Sequence, residues 1–176
     1  MGHPVLRANA KPLPPGEIKT PRVQRLIDDM FETMAEYSGI GLAAPQVHEG
    51  LRLFVAGLRT VEGPIAEISG DAEMPFLVII NPRLTMVGEK TDEGWEGCLS
   101  IPDVRGLVPR AHEIKVEALD RKGRPLHFVA RGLPARVIQH ETDHLDGVLF
   151  FDRMRRLETL TFMDEYQRYW VKHEDE

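Results

Sequence analysis

Cysteine is almost missing from this chain: one residue, Cys98, in 176. That excludes an intramolecular disulfide and leaves the single thiol free for chemistry. Long apolar runs are missing too. The longest, Phe76 to Ile80, is far too short for a membrane-spanning helix. Basic charge is in deficit, with 22 Lys and Arg against 28 Asp and Glu, a net charge of -6. A nucleic-acid partner held by counterion release is therefore not expected. There is no low-complexity tract, no internal repeat and no linker that would divide the chain. Met1 to Ala10 has neither the apolar stretch of a signal peptide nor the serine- and arginine-rich look of a transit peptide. The expectation is one soluble, cytoplasmic domain over 1–176, large enough to bury a proper core.

Four prolines fall before Lys19, which predicts an extended or irregular arm over 1–19. A helix should follow, with Thr20 as N-cap, Pro21 in its first turn and Gly39 at its end. Val23, Leu26, Ile27, Met30, Phe31, Met34 and Tyr37 keep helical spacing along it. Gly39 to Gln46 is small and apolar up to the amide and reads as a structural loop; it lacks the third glycine of a dinucleotide fingerprint. Strands are expected at Leu51 to Leu58 and at Met74 to Val87, the second interrupted at Asn81 and Pro82. Residues 59–73 between them suit an exposed excursion. Alternation over His112 to Leu119 puts Ile114, Val116 and Ala118 inward, and a turn at 120–124 should return the chain as a strand over Pro125 to Ala130. A final helix is expected over about 155–173. Strands in the middle and helices at the ends indicate an α+β fold, mainly antiparallel, packed around a central buried helix.

That helix is the segment around His140, Glu141 and His144. Histidines four apart project from one face of a helix, one turn apart. A glutamate beside the first can reach a water on a metal held between the two imidazoles, which is the content of the HExxH pattern. Pro134 suits the first turn and Gly147 the position past the last. Ala135, Val137, Ile138 and Leu145 lie on more than one side, as a buried helix requires. A catalytic metal site takes three protein ligands. In the metallopeptidase pattern the third would fall at position 150, which is Phe150. Glu158 or Glu165 could replace it in a zinc endopeptidase. Cys98, set in Glu96-Gly97-Cys98-Leu99-Ser100, is the better candidate, although a lone cysteine is more often a small buried hydrophobe.

Three motifs in order, Gly39 to Gln46, Glu96 to Ser100 and Gln139 to Gly147, make the chain resemble the peptide deformylase family. Ile101-Pro102, Val108-Pro109-Arg110 and Pro4 to Arg7 extend the likeness over roughly residues 4 to 152. The resemblance implies removal of the formyl group from the N-terminal formyl-methionine of a nascent peptide. It implies Cys98, His140 and His144 as ligands of one divalent ion, typically Fe(II), with Zn(II), Ni(II) or Co(II) able to take its place. It implies Glu141 as the proton carrier, and the Gln46 amide and Leu99 backbone N–H as donors to the oxyanion. Ile40, Leu133, Val137 and His140 would line a methionine pocket, Gly41, Gly97 and Leu99 would meet the substrate backbone, and Arg105 would stand at the mouth. Gln139 and Asp143 would orient neighbouring groups. Two positions depart from the family. Arg136 stands where an apolar residue is usual, suggesting a more polar pocket rim, and an acidic end at Glu174 to Glu176 makes ribosome docking through the tail doubtful.

Overall fold

The computed structural model describes residues 1–58, 67–69 and 74–171. The expected excursion at 59–73 and the acidic tail lie mostly or wholly outside these residues. The arm carries short 3-10 turns at Pro4–Arg7 and Pro15–Glu17. Helix α1 (Pro21–Glu36) begins as expected, the Thr20 side chain accepting from the Val23 N–H. It ends slightly earlier than Gly39, the Gly39 N–H closing back onto the Met34 carbonyl at 2.8 Å.

Strands follow in chain order: β1 (Gly41–Ala43), β2 (Leu53–Ala56), β3 (Glu67–Ile68), β4 (Leu77–Met86), β5 (Thr91–Cys98), β6 (Ile101–Ala111), β7 (Glu113–Leu119) and β8 (Pro125–Arg131). Helix α2 (Leu133–Leu145), strand β9 (Thr161–Phe162) and helix α3 (Met163–Tyr169) complete the chain. Six strands form one sheet in the order β1-β2-β4-β7-β8-β3, antiparallel except for β3 on β8. A second sheet, β5-β6-β9, is antiparallel throughout. The mainly antiparallel α+β expectation is met.

Side-chain alternation explains why β2 and β4 are apolar on both faces. Leu53, Val55, Val78 and Ile80 point to α1 and pack with Val23, Ile27, Met30 and Met34. Phe54, Ala56, Leu77 and Ile79 point the other way, into the cluster that holds Ala135, Val137, Ile138 and Leu145 of α2. A helix thus covers each face of the large sheet, as a strand buried on both sides requires.

Several sequence expectations need correction. The 39–46 loop contains a short strand, β1, pairing with β2, followed by a 3-10 turn at Ala44–Val47. The segment 88–111, left without strands in the sequence reading, forms the β5–β6 hairpin. Its residues include Glu93, Gly94, Glu96 and Gly97, weak strand formers whose pairing is set by tertiary contacts. The final helix is only seven residues long; Leu157–Thr159 is a 3-10 turn and Thr161–Phe162 pairs with β6. Among the described residues, no helix is long and apolar enough to cross a membrane.

The interruption of β4 is a register shift between Ile80 and Arg83, with Asn81 at φ +52°. Its side chain accepts from the Leu13 N–H at 2.9 Å and donates to the Leu13 carbonyl at 2.8 Å, tying the arm to the sheet. Asn81→Ala loses both bonds and leaves a β-carbon residue in a left-handed conformation that asparagine tolerates better. It is expected to destabilise the fold by about 2–4 kcal/mol in urea unfolding, through the loss of two partly buried hydrogen bonds.

Candidate metal centre

Helix α2 presents two kinds of face. Its apolar residues enter the large core, while Arg136, His140, Asp143 and His144 turn to the β5–β6 hairpin. Cys98 ends β5 at a register shift opposite Ile101, which brings its thiol to α2. The Cys98 Sγ lies 3.3 Å from the His144 Nε2. One donor atom from each of Cys98, His140 and His144 lies within 4.8 Å of the others, and all three residues are buried. Glu158 and Glu165 do not join this group; Glu165 instead bonds Arg168 on its own helix. Phe150 packs beside Cys98 and Val108, so position 150 serves the core.

The geometry and donor chemistry of this set fit a metal ion. The His140 Nδ1 is 2.9 Å from the Glu96 Oε2, so an Nδ1–H donated there leaves Nε2 as the free donor atom. A thiolate and two neutral imidazoles are the donor types that transition metals take. Without a metal, burial pulls the His140 imidazole down, but hydrogen bonds to Cys98 and Glu96 outweigh it and lift the group to about 10, so binding an ion at its Nε2 displaces a proton. Burial depresses His144 to about 3. Two buried side-chain atoms, Glu141 Oε2 and His144 Nδ1, have no hydrogen-bond partner among the described residues. Buried polar atoms rarely stay so, and the Glu141 carboxyl is free to act on a ligand.

Glu141 is the most desolvated carboxyl here. Burial pushes it up to about 7, with His140 pulling it down and Glu96 raising it further. A carboxyl balanced near neutrality can both take and return a proton. Gly41 of β1 runs directly against it; a Cβ at that position would come within 2.8 Å of the Glu141 carboxyl carbon. Gln46 is oriented by the chain itself. Its Oε1 accepts from the Ala43 N–H at 2.8 Å, which turns Nε2 towards the Cys98 Sγ at 3.5 Å and the Ser100 Oγ at 3.2 Å. Leu99 is partly exposed, and its Cδ1 would meet a Cβ on Gly39 at 3.1 Å, so the two loops meet over the site. Arg105 lies across Gly97, in the space a side chain there would need. Ile40 stands partly exposed just before β1, whereas Val137 is buried in the large core and Leu133 packs on that core.

One residue of the site had no role assigned from sequence. Glu96 is buried, and both of its oxygens are saturated. Oε1 accepts from Arg110 Nε at 2.9 Å and Arg136 NH1 at 2.8 Å; Oε2 accepts from Arg110 NH2 and meets His140 Nδ1, each at 2.9 Å. Arg110 also binds Asp143 at 2.5 Å, and Asp143 in turn holds Arg153 at 2.7 Å. Burial would raise Glu96, but the bonds from His140 and Arg110 hold it down at about 2. Its polar neighbours were visible in the sequence, but their convergence depends on the unpredicted hairpin. Gln139 bonds the N–H and carbonyl of Ala111 and the carbonyl of Ala135, so it ties α2 to β6 and touches no ligand.

The polar-rim expectation for Arg136 needs correction. The guanidinium turns to the hairpin, donating to Glu96 and to the carbonyls of Asp92 at 2.6 Å and Val108 at 2.8 Å. Gly94 makes the room, since a Cβ there would lie 2.8 Å from the Arg136 Cζ.

A family model described as Polypeptide deformylase matches residues 1–160. "Peptide deformylase 2" of Pseudomonas putida is 42% identical over 156 residues, covering 88% of this chain and 85% of the relative. "Peptide deformylase 2" of a Nostoc species is 43% identical over 176 residues, covering 98% and 93%. Among solved structures, a Met-Ala-Ser-bound class I type b peptide deformylase from Acinetobacter baumannii superposes with a TM-score of 0.77. It is 37% identical, with 88% of this chain and 94% of that chain covered.

The buried ion network predicts an asymmetry in stability. Arg110→Ala strands Glu96 and Asp143 and should cost about 3–5 kcal/mol in denaturant unfolding. Arg168→Ala, which breaks an exposed pair, should change stability by less than about 0.5 kcal/mol. Because Glu96 is depressed in the folded state, its contribution is present above its ordinary value of 4.5 and is lost as pH falls towards about 2. A urea titration series from pH 7 to pH 2 reads both effects.

Proposed function

The chain belongs to the polypeptide deformylase family, and we propose that the cluster around Cys98, His140, His144 and Glu141 is where its chemistry takes place. A deformylase removes the formyl group from the N-terminus of newly made polypeptides, and this chain is such an enzyme. The observation that carries the site assignment is the convergence of one thiol and two imidazoles beside a buried carboxyl whose Oε2 has no partner among the described residues.

Cys98, His140 and His144 hold one divalent ion in this reading. When bound, it supplies Lewis acidity that makes water a competent nucleophile near neutral pH. Fe(II) is the ion proposed in the cell. Zn(II), Ni(II) or Co(II) suit the same donors in a purified sample, because availability decides among them. Glu96 fixes the His140 ring with Nδ1 inward to the protein and Nε2 to the site.

Glu141 takes the proton of the attacking water and hands it to the leaving amine, so one carboxyl serves both halves of the hydrolysis. Attack places negative charge on the formyl oxygen. The Gln46 Nε2, already aimed at the site by the Ala43 N–H, donates to that oxygen, as does the Leu99 backbone N–H. The products are formate and a peptide with a free N-terminal methionine. Its backbone is received as an added strand by Gly41, Gly97 and Leu99, a mode that accepts many downstream side chains. The solved Acinetobacter relative bound to Met-Ala-Ser supports a peptide substrate. Ile40, Leu133, Val137 and His140 would take the methionine side chain, with Arg105 at the mouth. Residues 1–176 act as one catalytic domain in this reading, in the cytoplasm where nascent chains emerge. Any contact with the ribosome would be transient.

The zinc endopeptidase reading loses its basis, because neither Glu158 nor Glu165 stands with the two histidines. Protein purified without oxygen should release formate from formyl-Met-Ala-Ser. Glu141→Gln should keep one metal per chain and lose about 10²–10⁴-fold in kcat, in line with removal of a general base. Cys98→Ala should lose metal on dialysis. Full turnover by Glu141→Gln, or undiminished metal retention by Cys98→Ala, would contradict the assignments.

A further inference from the structure

Arg136 takes no part in the chemistry above, yet its guanidinium is heavily engaged. NH1 donates to the Glu96 Oε1 and the Val108 carbonyl, each at 2.8 Å, and more weakly to the Gly94 carbonyl at 3.4 Å. NH2 donates to the Asp92 carbonyl at 2.6 Å. Gly94 and Val108 are register partners, so the group sits over one rung of the β5–β6 hairpin and holds both strands. Among the described residues its one ionic partner is Glu96. A guanidinium presents its donors in a fixed plane, whereas an ammonium is a point charge on a flexible stem and does not span acceptors spread this way. The cradle is shaped for the larger group. A Cβ on Gly94 would lie 2.8 Å from the Arg136 Cζ and 2.9 Å from its NH2, so a side chain there would evict it.

We propose that Arg136 is a positioning residue for His140, acting through Glu96. The proposal rests on the reading of the site given above. Arg136 and His140 are four apart on α2 and so share one face, one turn apart. Each meets a different oxygen of the same carboxylate: Arg136 takes Oε1 at 2.8 Å, and the His140 Nδ1 meets Oε2 at 2.9 Å. Two donors from one helix thus bracket Glu96 and fix it along the helix axis. Arg110 grips both oxygens from β6, and with that fork alone the carboxylate could tilt away from the ring. Arg136 removes this freedom because it is itself pinned to the Asp92 and Val108 carbonyls. Cys98 closes β5 two residues beyond Glu96. The same staple therefore holds the strand that carries the thiol against the helix that carries both imidazoles. Loss of a group that orients a ligating ring typically costs about 10- to 100-fold in metal affinity.

The test has two readouts. In metal-free protein the His140 Nδ1–H, donated to Glu96, should give a slowly exchanging downfield proton resonance. Arg136→Met should broaden or abolish it. Gly94→Ala, which evicts the guanidinium without removing its charge, should do the same, and Arg136→Lys should restore it only in part. In Co(II)-loaded protein, release of the ion to a chelator should accelerate by about 10- to 100-fold in Arg136→Met and in Gly94→Ala. Combining the two substitutions should add nothing further, because both act through one group. Asn81→Ala, destabilised at the arm, should release the ion at the parent rate. An unchanged His140 resonance in Arg136→Met and Gly94→Ala would overturn the proposal. So would an equal acceleration in Asn81→Ala, which would trace ion loss to stability alone. If the parent protein takes up no Co(II), the reading of the site has failed. The resonance then decides alone: its loss in Gly94→Ala upholds the positioning role, and its persistence overturns it.

Discussion

One buried carboxylate holds the functional half of the molecule together. Glu96 shares its two oxygens among Arg110, Arg136 and His140, and so joins strand β5, strand β6 and helix α2 at one point. Burying a carboxylate is costly unless it is paired and fully hydrogen-bonded. Here the cost is offset by four charge-assisted or ring donors, and Asp143 neutralises the far side of Arg110. The same bonds that make the charge tolerable also set the ring of His140. Stability and the geometry of His140 therefore share one set of contacts, so a change at Arg110 or Arg136 reaches the candidate metal site without touching it.

The large sheet supplies the other constraint. With α1 on one face and the apolar side of α2 on the other, it fixes α2 in a position where its polar face can only meet the hairpin. Strand β1 at the edge of that sheet then brings Gly41 to Glu141 and, through the following turn, Gln46 to Cys98. Residues 52 positions apart in sequence meet because two elements of different sheets converge on one helix.

How much of this could be read from the residues depended on local signals. Helix α1 was legible because Thr20, Pro21 and a regular apolar stripe agree, and the β7–β8 hairpin because alternation and turn chemistry agree. The convergence of Cys98, His140 and His144 was legible from motif spacing and resemblance. The β5–β6 hairpin was not, since glycines and glutamates in β5 carry little strand propensity and only their partners make them a strand. Glu96 was hidden for the same reason. Arg136 looked like a feature of the pocket rim because it stands where the family usually has an apolar residue, and a position in a motif does not give a side chain's reach. Its long side chain bends to the space left open at Gly94. The last helix was overestimated because Leu160, Met163, Tyr166 and Trp170 keep helical spacing. The segment before Met163 instead pairs with β6, and Trp170 and Tyr166 close onto Trp95.

The central claim is that Cys98, His140 and His144 together hold the catalytic ion. X-ray absorption fine structure at the zinc edge of the zinc-loaded protein tests it most directly. The account predicts one sulfur neighbour at about 2.3 Å and two imidazole nitrogens at about 2.0–2.1 Å. A first shell without sulfur, with a protein carboxylate oxygen in its place, would contradict it.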